Sequence, residues 1–211
     1  MKTPKIKFQL NLKLDAKNYY DASNSTKTWG HDFSKSARPE IVSKVRGKKF
    51  EEVKKYLIDI LSKGYSKDTK RTKIKLKKIE NDWSKIEKEY FKRLAKITKN
   101  PIYTNKFQVY ITTIGRCPYF LKDNGFMINI FGNDGINNTI AHELMHLQFH
   151  YYYEDYLREI ISKEDFHHIK EALTVLLNIE FQDLLKHKDN GYPDHQRLRK
   201  FIAEHWKKTK D

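Results

Sequence analysis

Apolar and polar positions alternate strictly through residues 4–14. Ile6, Phe8, Leu10, Leu12 and Leu14 share one face, and Lys5, Lys7, Gln9, Asn11 and Lys13 the other. A period of two predicts a half-buried strand. Residues 18–39 lose all periodicity, are polar and aromatic, and contain Trp29-Gly30, which predicts a long irregular segment. The period then lengthens. Val53, Leu57, Ile58 and Leu61 predict a helix over 39–62 that Gly64 ends. Leu76, Ile79, Trp83, Ile86, Tyr90, Leu94 and Ile97 recur every three or four residues and predict one long helix over 68–98, stopped by Asn100-Pro101.

Alternation returns at residues 104–114, with Phe107, Val109 and Ile111 on one face, and again at 126–131. Asp123-Asn124-Gly125 between them has the composition of a hairpin turn. Gly132-Asn133-Asp134-Gly135 breaks the second run. Helical spacing follows over 137–153 and 163–185. Gly191-Tyr192-Pro193 predicts a turn, and Asp194 the cap of a last helix ending near Trp206.

Together these elements predict an α+β fold. A small, mainly antiparallel sheet should pack on the 137–153 helix, with long helices before and after it. A chain of 211 residues is long enough to bury its own core, and one compact domain is expected. Within it, residues 1–100 form a strand-plus-helical part and 101–211 a second part.

Charge separates these two parts. The chain carries a formal charge of +15. Residues 1–100 hold 28 Lys and Arg against 12 Asp and Glu, whereas 101–211 hold 14 against 15. A Lys-rich, helical first half could contact phosphates. Trp83 and Tyr90, however, fall in its apolar stripe and are expected in the core. The single cysteine, Cys117, precludes an internal disulfide and fits a reducing, cytoplasmic setting. No leader pattern and no membrane-length apolar run is visible.

The second half carries the chemistry. His142-Glu143-Leu144-Met145-His146 places two imidazoles at i and i+4, on one face of a helix. They can share one zinc ion with Zn–N bonds of about 2.0–2.1 Å. Glu143, rotated roughly 100° around the helix, stands where a general base can reach the water that zinc activates.

A third ligand is needed, and several residues offer one. On a straight helix His150 lies about 12 Å along from His142, too far to share the ion unless the helix breaks. It is expected in the core or behind a ligand. Glu154 and Asp155 need a slight bend. Glu171, 25 residues after His146, sits in a largely apolar helical stretch, where a carboxylate needs a partner. Zinc would be one, and a Lys or Arg another. His167, four residues before Glu171, is a further candidate. Cys117 could approach the metal, or serve as a small turn residue.

The pattern resembles the gluzincin zinc metallopeptidases, in which HExxH on one helix and a Glu on the next complete a His-His-Glu site. The run Phe126-Met127-Ile128-Asn129-Ile130-Phe131, an Asn/Gly loop and then Ile140-Ala141-His142-Glu143 also resembles their layout. There, an edge strand before the active-site helix pairs with the substrate backbone. Ala141-His142-Glu143-Leu144-x-His146-x-x-x-His150 is similar to the ImmA/IrrE-type cytosolic metallopeptidases. Met145 stands where those proteins usually have Gly.

The resemblance implies His142, His146 and Glu171 as metal ligands, Zn2+ as cofactor, Glu143 as the base, and a peptide or protein substrate. It also implies a donor to the developing oxyanion from beyond the metal helices, for which Tyr192 and His195 are candidates. Relatives in that family often carry an Asp four residues after the ligand Glu to orient a zinc histidine. Here that position is Val175, and Thr174 or Asn178 could substitute. Tyr151, Tyr152, Tyr153 and Tyr156 are expected to pack or to line a pocket. Two other functions stay open: nucleic-acid binding through the basic first half, and a non-catalytic zinc-binding regulator.

Overall fold

A computed structural model describes residues 3–25, 30–132 and 135–209. The fold is α+β. Strand β1 (Lys5–Gln9) is followed by five helices: α1 (Leu12–Asn24), α2 (Pro39–Val45), α3 (Phe50–Lys67), α4 (Thr69–Ser84) and α5 (Glu87–Ile97). Strands β2 (Lys106–Thr112), β3 (Tyr119–Phe120) and β4 (Gly125–Asn129) come next. Helices α6 (Ile136–Arg158), α7 (Lys163–Leu173), the short α8 (Leu177–Glu180) and α9 (Gln196–Thr209) complete the chain.

The sheet has the order β1-β2-β4-β3 and is mixed, not mainly antiparallel. β1 and β2 are parallel, as are β2 and β4, and only β3 and β4 run antiparallel. The turn at Asp123-Asn124-Gly125 does form, with Asn124 in the left-handed region at φ 48°. It joins β4 to β3 rather than to β2. β3 is two residues long and carries no readable alternation, so the hairpin partner is hidden in the sequence. β4 is therefore an interior strand, and the open edge beside it belongs to β3. Pairing continues past β3, because Met127 donates its amide to the Pro118 carbonyl at 2.9 Å.

Several helical boundaries differ from expectation for local reasons. The first strand stops at Gln9 because the Asn11 side chain accepts from the Lys13 and Leu14 amides and starts α1. α1 runs into the segment expected to be irregular and buries Ala16, Tyr19 and Ala22 together with the polar Asp15, Asn18 and Ser23. A 3-10 turn, Phe33–Ser36, forms later in that segment, and Trp29 lies outside the described residues. The 39–62 helix divides around Gly47 (φ 78°), and Gly64 lies inside α3 rather than at its end. The 68–98 helix divides at Lys85-Ile86, yet Ile79, Trp83, Tyr90 and Leu94 are buried on both arms, so the apolar period reads straight through the break. The 163–185 helix ends at Leu173 and continues as a 3-10 turn and α8.

One apolar core spans both halves of the chain. Trp83 packs edge-on to Tyr90 at 5.2 Å, Tyr90 meets Phe181 at 5.0 Å, and Phe91 stacks on Phe107 at 5.8 Å. The Tyr90 hydroxyl donates to the Ala141 carbonyl at 2.6 Å, which fixes α5 to α6 one residue before His142. α6 in turn lies against β4 and β3. The positive charge of the first half faces outward: Lys70, Arg71, Lys73, Lys77 and Lys78 of α4 are all exposed. Among the described residues no helix is long and apolar enough to cross a membrane.

Candidate metal centre

α6 brings His142, Glu143 and His146 to the floor of a cleft of about 570 Å³, and the last turn of α7 brings Lys170 and Glu171 to its side. α1 and the segment after it also line the cleft, through Asp21, Asn24, Ser25 and Phe33. The basic first half is thus part of the site's enclosure. Cys117, Pro118 and Tyr119, leading into the edge strand β3, line the cleft as well.

Among the described residues, His142, His146 and Glu171 form the group able to hold a metal, with one ligand atom from each lying within 4.8 Å of the others. Nε2 of His146 is 3.2 Å and Nε2 of His142 3.5 Å from the same oxygen, Oε2 of Glu171. Two ligands of a tetrahedral ion with bonds of about 2.0–2.1 Å stand about 3.3 Å apart, so both separations match a tetrahedral edge. His142 gives its Nδ1 to Asp189 Oδ2 at 2.6 Å, and in the neutral ring this turns the Nε2 lone pair toward Glu171. That contact is filled either by a proton on Nε2 or by a metal cation bridging the two atoms. The donor set of two imidazoles and one carboxylate suits zinc.

Electrostatics separate the two carboxylates. Glu143 is buried, and its Oε2 has no hydrogen-bond partner among the described residues. Burial pushes its carboxyl up to about 8, against the pull of His142. Glu171 is equally buried, but His146, His142 and Lys170 overcome burial and hold it far below the usual carboxylate range. Burial drives His146 down to about 3, so its ring is neutral and free to bind a cation. Burial also opposes charge on His142, yet Asp189, with Glu171 and Glu143, holds it well above the usual histidine range.

Asp189 escapes detection in the sequence. It lies in an irregular segment after α8 and is buried between Thr174, Asn178, Arg199 and His142. Its amide donates to Asn178 Oδ1 at 2.7 Å and its carbonyl accepts from Asn178 Nδ2 at 2.8 Å. Its Oδ1 lies 3.0 Å from Thr174 Oγ1 and 2.9 Å from Arg199 Nη2. Thr174 and Asn178 thus reach His142 through Asp189. Gly191 allows this packing: its φ is 61°, and a Cβ there would lie 2.6 Å from Arg199 Nη1.

The remaining candidates divide. Tyr192 lines the cleft, where burial, with Glu171 and Glu143 adding, raises its hydroxyl well above the usual range. His195 is buried beside it, edge-on to the Tyr192 ring at 5.7 Å, and its Nε2 is 2.8 Å from His168 Nδ1. It does not line the cleft. His150 sits behind the ligands, its Nε2 2.6 Å from the Tyr119 hydroxyl and its Nδ1 2.9 Å from Glu154 Oε2. His167 lines the cleft, but neither it nor Asp155 joins the ligand group. Cys117 also stays outside that group, and burial pushes its thiol up to about 12. Tyr151 and Tyr156 are exposed, while Tyr152 and Tyr153 donate to the Pro101 and Thr98 carbonyls, so none of the four lines the cleft. No family model matches the chain, and neither a curated protein nor a solved structure matches it.

Proposed function

We propose that this chain is a gluzincin-like zinc metallopeptidase acting on peptide or protein substrates in the cytoplasm. The observation that carries the reading is the convergence of two imidazole Nε2 atoms on one oxygen of Glu171, beside a buried carboxylate, Glu143, one of whose oxygens has no partner among the described residues. Zinc, when bound, supplies Lewis acidity toward water and the scissile carbonyl.

This chain's own residues do the rest. His142, His146 and Glu171 hold the ion. Glu143 takes the proton from the attacking water and returns it to the leaving amine. The Tyr192 hydroxyl donates toward the oxyanion. The substrate backbone pairs with the open edge at Tyr119 rather than with β4. Tyr119 stands opposite Phe126, one position from the hydrogen-bonded Pro118 and Met127, so its own amide and carbonyl face away from the sheet.

The test combines metal analysis with cleavage of a peptide library. Wild type should carry about one zinc per chain. Glu143→Gln should keep the zinc and lose about 10²–10⁴-fold in turnover. Glu171→Ala should lose most of the zinc. Full turnover in the first variant or full loading in the second contradicts the assignment. Zinc without cleavage of any peptide points instead to a regulator built on the same site.

Nucleic-acid binding is the alternative, and it rests on a patch at the α3–α4 junction where Lys67 and Asp68 adjoin Lys70, Arg71, Lys75 and Lys78 of α4 around the exposed Ile74. Affinity for duplex DNA or RNA that falls steeply with salt would support it.

A further inference from the structure

Lys170 is an unusual neighbour for a metal ligand. It precedes Glu171 in the chain, and its side chain is 1% exposed. Its Nζ donates to Oε1 of Glu171, while the other oxygen, Oε2, is the one that faces both histidines. The ammonium also lies over the Tyr119 ring, 4.6 Å from its centroid. That ring is held from behind: its hydroxyl is 2.6 Å from His150 Nε2, and His150 is held by Glu154 at 2.9 Å. The cation is therefore fixed on two sides and cannot swing into solvent without unburying its stem.

We infer that Lys170 is a positioning residue that claims one oxygen of Glu171, so that the carboxylate gives a metal a single contact and leaves a coordination position open. The inference rests on the metallopeptidase reading. A carboxylate can bind a metal through one oxygen or through both. With both oxygens free, Glu171 could turn and add a second contact beside the bound water, raising the coordination number from four to five and crowding the place that a substrate carbonyl needs. A catalytic zinc site differs from a structural one by keeping that place open. Hydrogen bonds to a ligand's other atoms are the usual means of fixing its orientation. Here the donor is a buried charge, which binds its carboxylate oxygen more firmly than a neutral donor does.

Cobalt substitution reads the coordination directly, without reference to activity. The full chain is stripped of metal and loaded with Co2+, and its visible absorption is recorded per bound ion. Four-coordinate cobalt absorbs more strongly than five-coordinate cobalt, so geometry is legible in the band intensity. Wild type should give the intense bands. Lys170→Met, close in length and uncharged, should lower them by about twofold or more as Glu171 closes its second contact. Lys170→Arg, which restores a cationic donor, should recover most of the intensity.

If Lys170→Met fails to fold, Tyr119→Leu removes the ring that seats the ammonium and should weaken the bands in the same direction. Identical bands per bound cobalt in wild type and in the folded Met or Leu variant overturn the inference and leave the metallopeptidase reading intact. A wild-type chain that takes up neither cobalt nor zinc overturns that reading, and the inference with it.

Discussion

Two aspartates are buried in separate polar clusters, and they respond to burial in opposite ways. Asp15, on α1 in the first half, is fully buried, and among the described residues its carboxyl is met by hydroxyls: Thr112 donates at 2.6 Å and Tyr65 at 2.8 Å. Burial wins there, and the carboxyl is pushed up to about 6. Asp189, beside the His142-His146-Glu171 group, has a side chain only 8% exposed but faces His142 and Arg199. Those cations and Thr174 overcome burial and bring it down to about 2. The charge state of a buried carboxylate thus follows from its partners, not from its depth.

The difference matches what each cluster does. Asp189 stays ionised at every pH where the site could work, so it always claims the Nδ1–H of His142 and leaves Nε2 to the cleft. Asp15 ties α1 to α3 and β2. On the next turn of α1, Asn18 donates to the Arg116 carbonyl and accepts from its guanidinium, both at 2.8 Å, which fixes the cleft rim.

The largest expected effect comes from removing the cation-backed member. Asp189→Ala strands Arg199 and releases His142 together. Loss of such a supporting partner weakens metal binding by about 10–100-fold. Breaking a buried ion pair costs about 3–5 kcal/mol of stability. Zinc competition against a chelator and urea unfolding of the metal-free protein measure the two effects. Unchanged zinc affinity would show that His142 needs no partner, and the contrast between the two aspartates would lose its functional meaning.

A second experiment isolates the hydroxyl-only cluster. The folded pKa of Asp15 is raised from its ordinary 3.8 to about 6. Its contribution is therefore fully present below pH 4, falls as pH rises toward 6, and is gone above. The loss amounts to about 3 kcal/mol between pH 4 and pH 7. Asp15→Asn removes the titration and keeps the shape. Urea unfolding at several pH values should show variant and wild type converging at pH 4 and the variant gaining by about that amount at pH 7. Every other titrating group cancels in the difference, so parallel curves would refute the assignment.

How much of this was legible beforehand follows the same division between periodic and irregular chain. His142, Glu143, His146 and Glu171 lie on helices whose spacing is written in the sequence, and the structure brings all four to one cleft. Asp189 lies in a segment without periodicity. Its role depends on contacts with Thr174, Asn178 and Arg199 that only the folded chain makes. α1 differs from both expectations that overlap it: Leu12 and Leu14 continue the strand alternation, and Asn18 and Ser23 look like loop residues, yet both are polar side chains that the core buries and satisfies. β3 was invisible because two residues cannot show a period. That omission is what turned a mixed sheet into an expected antiparallel one.

The smallest effect tests whether Asp189 owes its low pKa to its charged partners alone. Thr174 Oγ1 lies 3.0 Å from Asp189 Oδ1 and also accepts from Arg199 Nη1 at 2.7 Å. Thr174→Val keeps the volume and removes the hydroxyl, at a cost of about 1–2 kcal/mol. Because the folded pKa of Asp189 is lowered from 3.8 to about 2, its stabilising contribution is present above pH 4 and lost as pH falls toward 2. Without Thr174 the folded pKa should rise part of the way back. The variant should then lose less stability than wild type between pH 4 and pH 2, although it starts lower. Unfolding of the metal-free proteins across that window measures the slope. An unchanged slope would mean that His142 and Arg199 set the charge of Asp189 without help, and that the hydroxyl serves Arg199 and the Glu171 carbonyl, to which it donates at 2.8 Å.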